Sequence, residues 1–304
     1  MDFKDMAYIL AIGKYGNITK AADSLYLSQP TLSKFLKAVE KQLGQPLFRK
    51  LGNKYVPTYA GKRYMERARE ILSVKKELDQ EMGDIVKKNE GVLKVGFPAM
   101  RCTYMLPCTL PVFHKRYPNV HIDVHEASSE NLTKMVLDGD IDLAFYNYGE
   151  AEENIDYTII SHEELVLVMG KENPYGKLAK TVEGCQYPHM DLKKLQDAQF
   201  VVQAPGQRTR QIVNQMFRQA GIKPQIILQT TNIQAEAELA ARNYGITFIT
   251  ETHLKHMPQQ IQNELQLFSV GNPATAVDFV AAYRKNSYIP FHAQEYIKIV
   301  KDFT

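Results

Sequence analysis

The stretch NITKAADSLYLSQPTLSKFLKAVEKQLG, residues 17–44, constrains this chain more than any other. It reads as two short helices joined by a tight turn. In the second helix Leu32, Phe35, Leu36, Val39 and Leu43 recur at helical spacing and form one buried stripe. Thr31, Ser33, Lys34, Lys37 and Lys41 fall largely on the other side. Ser28 suits the N-cap, and Pro30 suits a first turn whose backbone N–H has no helical partner. Small polar residues at the start of a helix, with lysines along its exposed face, suit entry into a major groove. This is the helix-turn-helix arrangement. The pattern alone also fits a two-helix hairpin with a solvated charged face.

The neighbouring residues narrow the choice. Ala21 and Ala22 are small where the two helices cross. Residues 48–56, FRKLGNKYV, read as a short basic hairpin turning at Gly52-Asn53. Thr58-Tyr59-Ala60-Gly61 then opens a long helix. Ala21-Ala22, Leu27-Ser28-Gln29-Pro30, Ser33, Glu40, Leu43-Gly44, Pro46-Leu47-Phe48-Arg49 and Thr58-x-Ala60-Gly61 stand in the order and spacing of the LysR-type transcriptional regulators. The chain resembles that family over its whole length. The likeness is strongest over residues 1–90 and is mainly one of architecture beyond them.

Composition agrees with an ordinary globular chain: 304 residues, 44% hydrophobic and 23% charged. No apolar run approaches the roughly 20 residues of a membrane span. Asp2 and Asp5 open an amphipathic helix rather than a secretory signal. Three cysteines make no disulfide framework, which fits a cytoplasmic location. The net charge of +3 hides a polarity: residues 1–90 carry 17 Lys and Arg against 11 Asp and Glu, and within 28–69 the balance is 10 against 2. Positive charge is thus concentrated where a DNA-binding module meets phosphates.

The expected organisation is α/β in three parts. Residues 1–57 form a winged helix-turn-helix, whose first helix turns Phe3, Met6, Ala7 and Leu10 to its core. Residues 58–90 form a linker and dimerisation helix. Tyr64, Ile71, Leu78 and Ile85 recur every seven residues, with Ala68, Val74 and Met82 between them, which makes a coiled-coil seam. A single amphipathic helix lying on its own domain fits the same spacing. Residues 91–304 alternate short apolar strands with helices, which predicts mostly parallel sheets covered on both faces. The chain is expected to leave lobe I (about 91–161 and 265–304) for lobe II (about 162–264). This looks like a two-lobed fold of the periplasmic-binding-protein type. It also resembles the family's effector-binding domain, with landmarks at Met105-Leu106-Pro107, Tyr117-Pro118, Gly139-Asp140-Ile141-Asp142 and Gly245-Ile246.

Gln29 has the amide that pairs with adenine, and Thr31, Ser33 and Lys34 share its exposed surface. By resemblance, Gln29, Pro30, Ser33 and Lys34 match positions that touch bases or the nearby backbone. Ser28 and Lys37 flank them, and Arg49, Lys50 and Lys54 in the hairpin reach phosphate or the minor groove. Many members carry arginines in the wing and Leu before the Thr, where this chain has Asn53-Lys54 and Pro57. Three strand-to-helix turns match the family's effector-site segments. They supply Pro98, Ala99, Met100, Arg101, Cys102 and Thr103, then Pro205, Gln207 and Arg208, then Thr231 and Asn232. Arg101 and Arg208 are either a carboxylate clamp or salt bridges at the surface or between the lobes. Met100 suggests a partly apolar ligand edge.

No catalytic or metal constellation emerges. His121 and His125 sit roughly 13 Å apart on one strand face at about 3.3 Å per residue, too far for one ion. His253 and His256 lack a third ligand, Cys185 lacks a base, and Cys102 and Cys108 lie on different helix faces. No cofactor is expected. The resemblance implies a regulator that is not an enzyme and binds a pseudo-palindromic double-stranded DNA operator as a homodimer or homotetramer. It also implies control by a small-molecule effector, plausibly a carboxylate, and contact with RNA polymerase, with no membrane partner. The alternatives are a ligand-binding or enzymatic two-lobed domain fused to a helix-turn-helix, and a nonspecific architectural DNA binder.

Overall fold

The computed structural model describes residues 2–85, 90–272 and 274–304. The chain divides into two compact units, Met1–Lys87 and Lys88–Thr304.

In the first unit, α1 (Phe3–Tyr15), α2 (Ile18–Ser24) and α3 (Gln29–Leu43) precede β1 (Phe48–Leu51), β2 (Lys54–Pro57) and α4 (Tyr59–Ile85). Local chemistry sets each boundary. Asp2 caps α1 in a reciprocal box with Asp5, and Gly16 ends it at φ 57°. The Asn17 side chain accepts from Lys20 N at 3.0 Å to start α2. Ser28 Oγ accepts from Thr31 N at 3.3 Å to start α3, and Gly44 closes it at φ 68°. The core joins Ile9, Ile12, Ala21, Ala22, Leu32, Leu36, Val39, Leu47 and Met65. One expectation shifts. The buried stripe of α1 is Met6, Ile9 and Ile12, whereas Phe3 is half exposed. The helix is rotated so that Gly13 lies against α4, where a Cβ would clash with the Met65 sulfur.

The second unit holds two lobes built about two shared strands. Lobe I contains β3 (Gly91–Phe97), α5 (Ala99–Arg116), β4 (Val120–Glu126), α6 (Ser129–Asp138) and β5 (Leu143–Asn147). The 16-residue β6 (Ile155–Gly170) then runs out of it. Lobe II adds β7 (Gln199–Gln203), α7 (Arg208–Ala220), β8 (Gln225–Thr230), α8 (Ile233–Ala241), β9 (Thr247–Thr250), α9 (Glu251–Lys255), α10 (Gln259–Asn263) and β10 (Leu265–Ser269). β11 (Ala276–Arg284) returns to lobe I, and α11 (Phe291–Asp302) covers its sheet.

β6 explains both lobes. Its first part pairs antiparallel with β11, from Ile155↔Arg284 to Glu164↔Ala276. Its last part lies between β9 and β10. There Leu165, Leu167 and Met169 enter the core under α7, and Val166 and Val168 enter the core under α8. A strand buried on both faces reads as a continuous apolar run, which is why only this part was legible in the sequence.

Two expectations are corrected. The sheets are mixed: β3 pairs parallel with β4 and β5, and β7 with β8, but every described pairing of β6 and β11 is antiparallel. A chain that crosses between lobes and comes back needs an antiparallel pair. The return also falls later than residue 265. Leu265–Ser269 pairs with the lobe II end of β6, and Val277 is still in that lobe's core, whereas Phe279 is in lobe I's. α5 itself starts at Ala99, because Pro98 holds the extended conformation that precedes a helix (φ −62°, ψ 145°).

Candidate DNA-binding surface and effector groove

α3 packs Leu32, Leu36 and Val39 into the first unit's core. Its opposite face and N-terminus present Ser28, Gln29, Pro30, Thr31, Lys34 and Lys37 to solvent, with Ser33 half-buried. Ser28 is occupied as the cap, and its hydroxyl lies 2.7 Å from that of Thr31. The Gln29 side chain is exposed at the tip. In the wing, Arg49, Lys50 and Lys54 are exposed on a two-stranded ladder that pairs Arg49 with Val56 and Leu51 with Lys54. Glu40 fixes the wing's root to α3: its Oε1 accepts from the backbone N–H groups of Leu47 (2.8 Å) and Phe48 (3.1 Å). Thr58 Oγ1 donates to Pro46 O at 2.7 Å and accepts from Gly61 N at 3.0 Å. Gly61 has no room for a side chain, since a Cβ would sit 1.9 Å from the Leu47 carbonyl oxygen. Glu40, Thr58 and Gly61 thus position the exposed basic residues of the wing against α3.

The seam expected on α4 divides. Ala68 is buried and Tyr64 half-buried, because α1 already covers the first turns of α4 and Tyr64 packs on that core. Ile71, Val74, Leu78 and Met82 remain exposed at 42%, 65%, 55% and 46%, an apolar stripe with no cover among the described residues. The Ile85 side chain lies outside the described residues.

In the second unit, Ala99, Met100, Cys102, Thr103, Thr231 and Asn232 come together in a groove of about 850 Å³ between α5 and the start of α8. Leu106, Pro107, Leu110, Pro111, Glu126, Ile233 and Gln234 complete it. The α5 members recur three and four residues apart, a signal the sequence carried. Pro107 and Pro111 have no N–H to donate to the carbonyls of Thr103 and Pro107, one turn earlier. Among the described residues of the lining, Glu126 alone is charged. The Cys102 thiol, held near Glu126, is pushed up to about 12 by burial and then by that carboxylate.

Pro98, Arg101, Pro205, Gln207 and Arg208 do not line this groove. Arg101 points to the opposite side of α5 and is 1% exposed. Its Nη2 donates to Glu163 Oε2 at 2.6 Å and to Asn147 Oδ1 at 3.3 Å, and the guanidinium lies 3.8 Å from the Phe279 ring centroid. Burial opposes the charge on Glu163, but Arg101 overcomes it and holds the carboxyl below its ordinary range. Lobe II closes over this pair. His253 meets Tyr104 edge-on at 5.9 Å, and His256 stacks on the same ring at 4.1 Å. Burial, then Arg101, pushes His253 down to about 3, so it stays neutral and bonds to the Thr250 hydroxyl. Arg208 is also enclosed. From lobe II it reaches Thr133 Oγ1 at 3.4 Å and lies over Tyr146, while its own N–H donates to Ser129 Oγ at 3.5 Å. Arg208 therefore ties lobe to lobe, Arg101 ties α5 to a strand the lobes share, and both guanidiniums are already engaged. Among the described residues no three His, Cys, Asp or Glu are grouped to hold a metal ion.

Comparison with known proteins agrees with this architecture. Residues 3–62 match the model of the bacterial regulatory helix-turn-helix proteins of the lysR family, and residues 87–304 match the LysR substrate binding domain. The chain belongs to the LysR family: it is a DNA-binding transcriptional regulator with an effector-binding domain. It is 26% identical to the uncharacterized HTH-type transcriptional regulator YcgK of Bacillus subtilis (strain 168), over 99% of this chain and 94% of that protein. It is 27% identical to a probable RuBisCO transcriptional regulator of Trieres chinensis, covering 83% and 81%. A full-length OxyR variant from Pseudomonas aeruginosa shares the fold at TM-score 0.72 and 18% identity, covering 99% of this chain and 94% of that one. CbnR in complex with its target DNA shares it at TM-score 0.61 and 20% identity, over the whole of both chains. No helix among the described residues is long and apolar enough to cross a membrane.

Proposed function

We propose that this regulator reads a pseudo-palindromic operator by laying the N-terminal end of α3 in the major groove. The exposed Gln29, Thr31 and Lys34 at that end, opposite the buried Leu32 and Leu36, carry the reading. Gln29 contacts base edges, Ser33 and Lys34 flank it, and Arg49, Lys50 and Lys54 neutralise phosphates. Two copies pair along Ile71, Val74, Leu78 and Met82, which supports a homodimer and leaves tetramers to further contacts. The α5–α8 groove takes the effector. Its apolar walls and the Glu126 carboxylate favour a molecule with an apolar body and a hydrogen-bonding head. The domain acts by binding rather than turnover, in the cytoplasm, and its output is a changed contact with RNA polymerase.

The test is DNA binding by two variants, measured on a site selected from the source genome and on unrelated DNA over a range of salt. Gln29→Ala is expected to weaken specific binding about tenfold to a hundredfold and leave nonspecific binding nearly unchanged. Lys54→Ala is expected to weaken both and to lower the salt slope by about one. Equal losses in both variants would remove Gln29 from base reading.

A further inference from the structure

The second unit holds a second groove, of about 630 Å³, that shares no lining residue with the first. Its size is that of a small-molecule site. Three parts of the fold make its walls. Tyr148–Glu150, which follow β5, come from lobe I; Ala276–Asp278 come from the start of β11, where the chain passes between lobes; and one face of α7 comes from lobe II. The walls are well fixed. Tyr148 N donates to Asp278 O at 2.7 Å, and the Tyr148 ring packs edge-on against Tyr157 at 4.9 Å. Gly149 lets the Arg208 strut pass behind the groove, since a Cβ there would meet Arg208 Cδ at 2.9 Å.

The lining is polar and carries both signs of charge on different walls. Arg218 on α7 is exposed, as is Glu150 in lobe I, and among the described residues neither side chain has an ion-pair or hydrogen-bond partner. Between them, Gln211 accepts from Arg208 Nη1 (3.3 Å) and Asn214 accepts from Arg210 Nε (2.9 Å). Both amides therefore keep their NH₂ groups for a guest. Asp278 adds a second carboxylate, bonded to His162 at 2.6 Å. A cation and two amide donors on one wall meet two carboxylates on the others, so the complementary guest carries an anionic and a cationic group a short distance apart.

We propose that this groove is a second ligand site, and that it binds a small zwitterion of the amino-acid class. The ligand's carboxylate meets Arg218 and the amides of Asn214 and Gln211, and its ammonium meets Glu150 and Asp278. Because both lobes and a strand they share supply the walls, such a ligand binds one lobe arrangement better than another and biases the regulator toward it. The inference stands on this groove alone and does not need the α5–α8 groove to be an effector site.

Calorimetric titration of the full-length protein with the twenty proteinogenic L-amino acids tests it. Each binder is followed by the matching amine and the matching carboxylic acid. At least one amino acid is expected to saturate a site, and Arg218→Met and Glu150→Gln are each expected to weaken it about three- to tenfold. Both side chains are exposed, so both variants should fold. Glu150→Gln should not affect the residual binding of the carboxylic acid, nor Arg218→Met that of the amine. The proposal is overturned if no amino acid binds, or if binding ignores both variants. It is equally overturned if binding responds to Met100→Lys in the other groove and not to Arg218→Met.

Discussion

Arg101 places a guanidinium where water does not reach, and Glu163, Asn147 and the Phe279 ring receive it. A buried pair of this kind adds little stability over an apolar one, but half of it is costly, because the remaining charge has lost both water and partner. Glu163→Ala is therefore expected to destabilise the second unit by about 3–5 kcal/mol, and adding Arg101→Met to recover most of that loss. Urea-unfolding midpoints of the two variants decide it. A double variant no more stable than the single would assign the loss to packing rather than to the stranded charge. Nothing in the local sequence AMRCTY separates this arginine from one aimed at a ligand. The residue's role turns on which face of α5 it occupies.

Among the elements, α4 does two things along its length. Its first turns complete the core under α1, and its later turns carry Ile71, Val74, Leu78 and Met82 into solvent. Four large apolar residues on one helical face are unusual in solvent, and the proposed dimer covers them with a second copy of the helix. Leu78→Glu sets a like-charged pair in that seam and is expected to shift the protein toward monomer at micromolar concentration, measured by sedimentation. A variant as dimeric as the parent would remove α4 from the interface. The wing depends on its neighbours in another way. Its basic residues are exposed, but the carbonyl of Leu47 at its root fits only because residue 61 is glycine, and Glu40 holds the two adjacent N–H groups. Several motif residues by which the family resemblance is seen thus act as carpentry that holds the exposed wing against α3.

At the scale of the molecule, stability depends on pH through a buried carboxyl group that lines neither groove. Glu236 on α8 is fully buried with one hydrogen bond, from Thr247 Oγ1 at 3.1 Å, and burial pushes it up to about 8. The unfolded chain releases this proton near the ordinary glutamate value, so between there and pH 8 the folded protein holds a proton that the unfolded one has lost. The contribution is present in full below the unfolded pKa and is lost as pH rises through about 8. Glu236→Gln removes the ionisation. Relative to that variant, the parent is expected to lose roughly 3–5 kcal/mol of unfolding free energy between about pH 5 and pH 8.5. Parallel stability curves for the two proteins would show that the carboxyl is ionised in the fold at neutral pH.

The sequence by itself determined the elements whose chemistry is local. Ser28, Gly44 and the stripe of Leu32, Leu36 and Val39 specify α3 from end to end, and the Gly52-Asn53 turn specifies the wing, because caps, turns and periodicity act within a few residues. It likewise marked six residues of the α5–α8 groove, which lie at strand-to-helix turns. Only the tertiary structure decided what depends on distant partners. Arg101 became a tie to the shared strand β6, and Arg208 a tie between lobes, because Glu163 and Thr133, 62 and 75 residues away, face them. The first part of β6 was hidden because its alternating polar residues gain their meaning only from β11. The lobe boundary moved past 265 because a strand belongs to the sheet that bonds it, and no local preference of Leu265–Ser269 names that sheet.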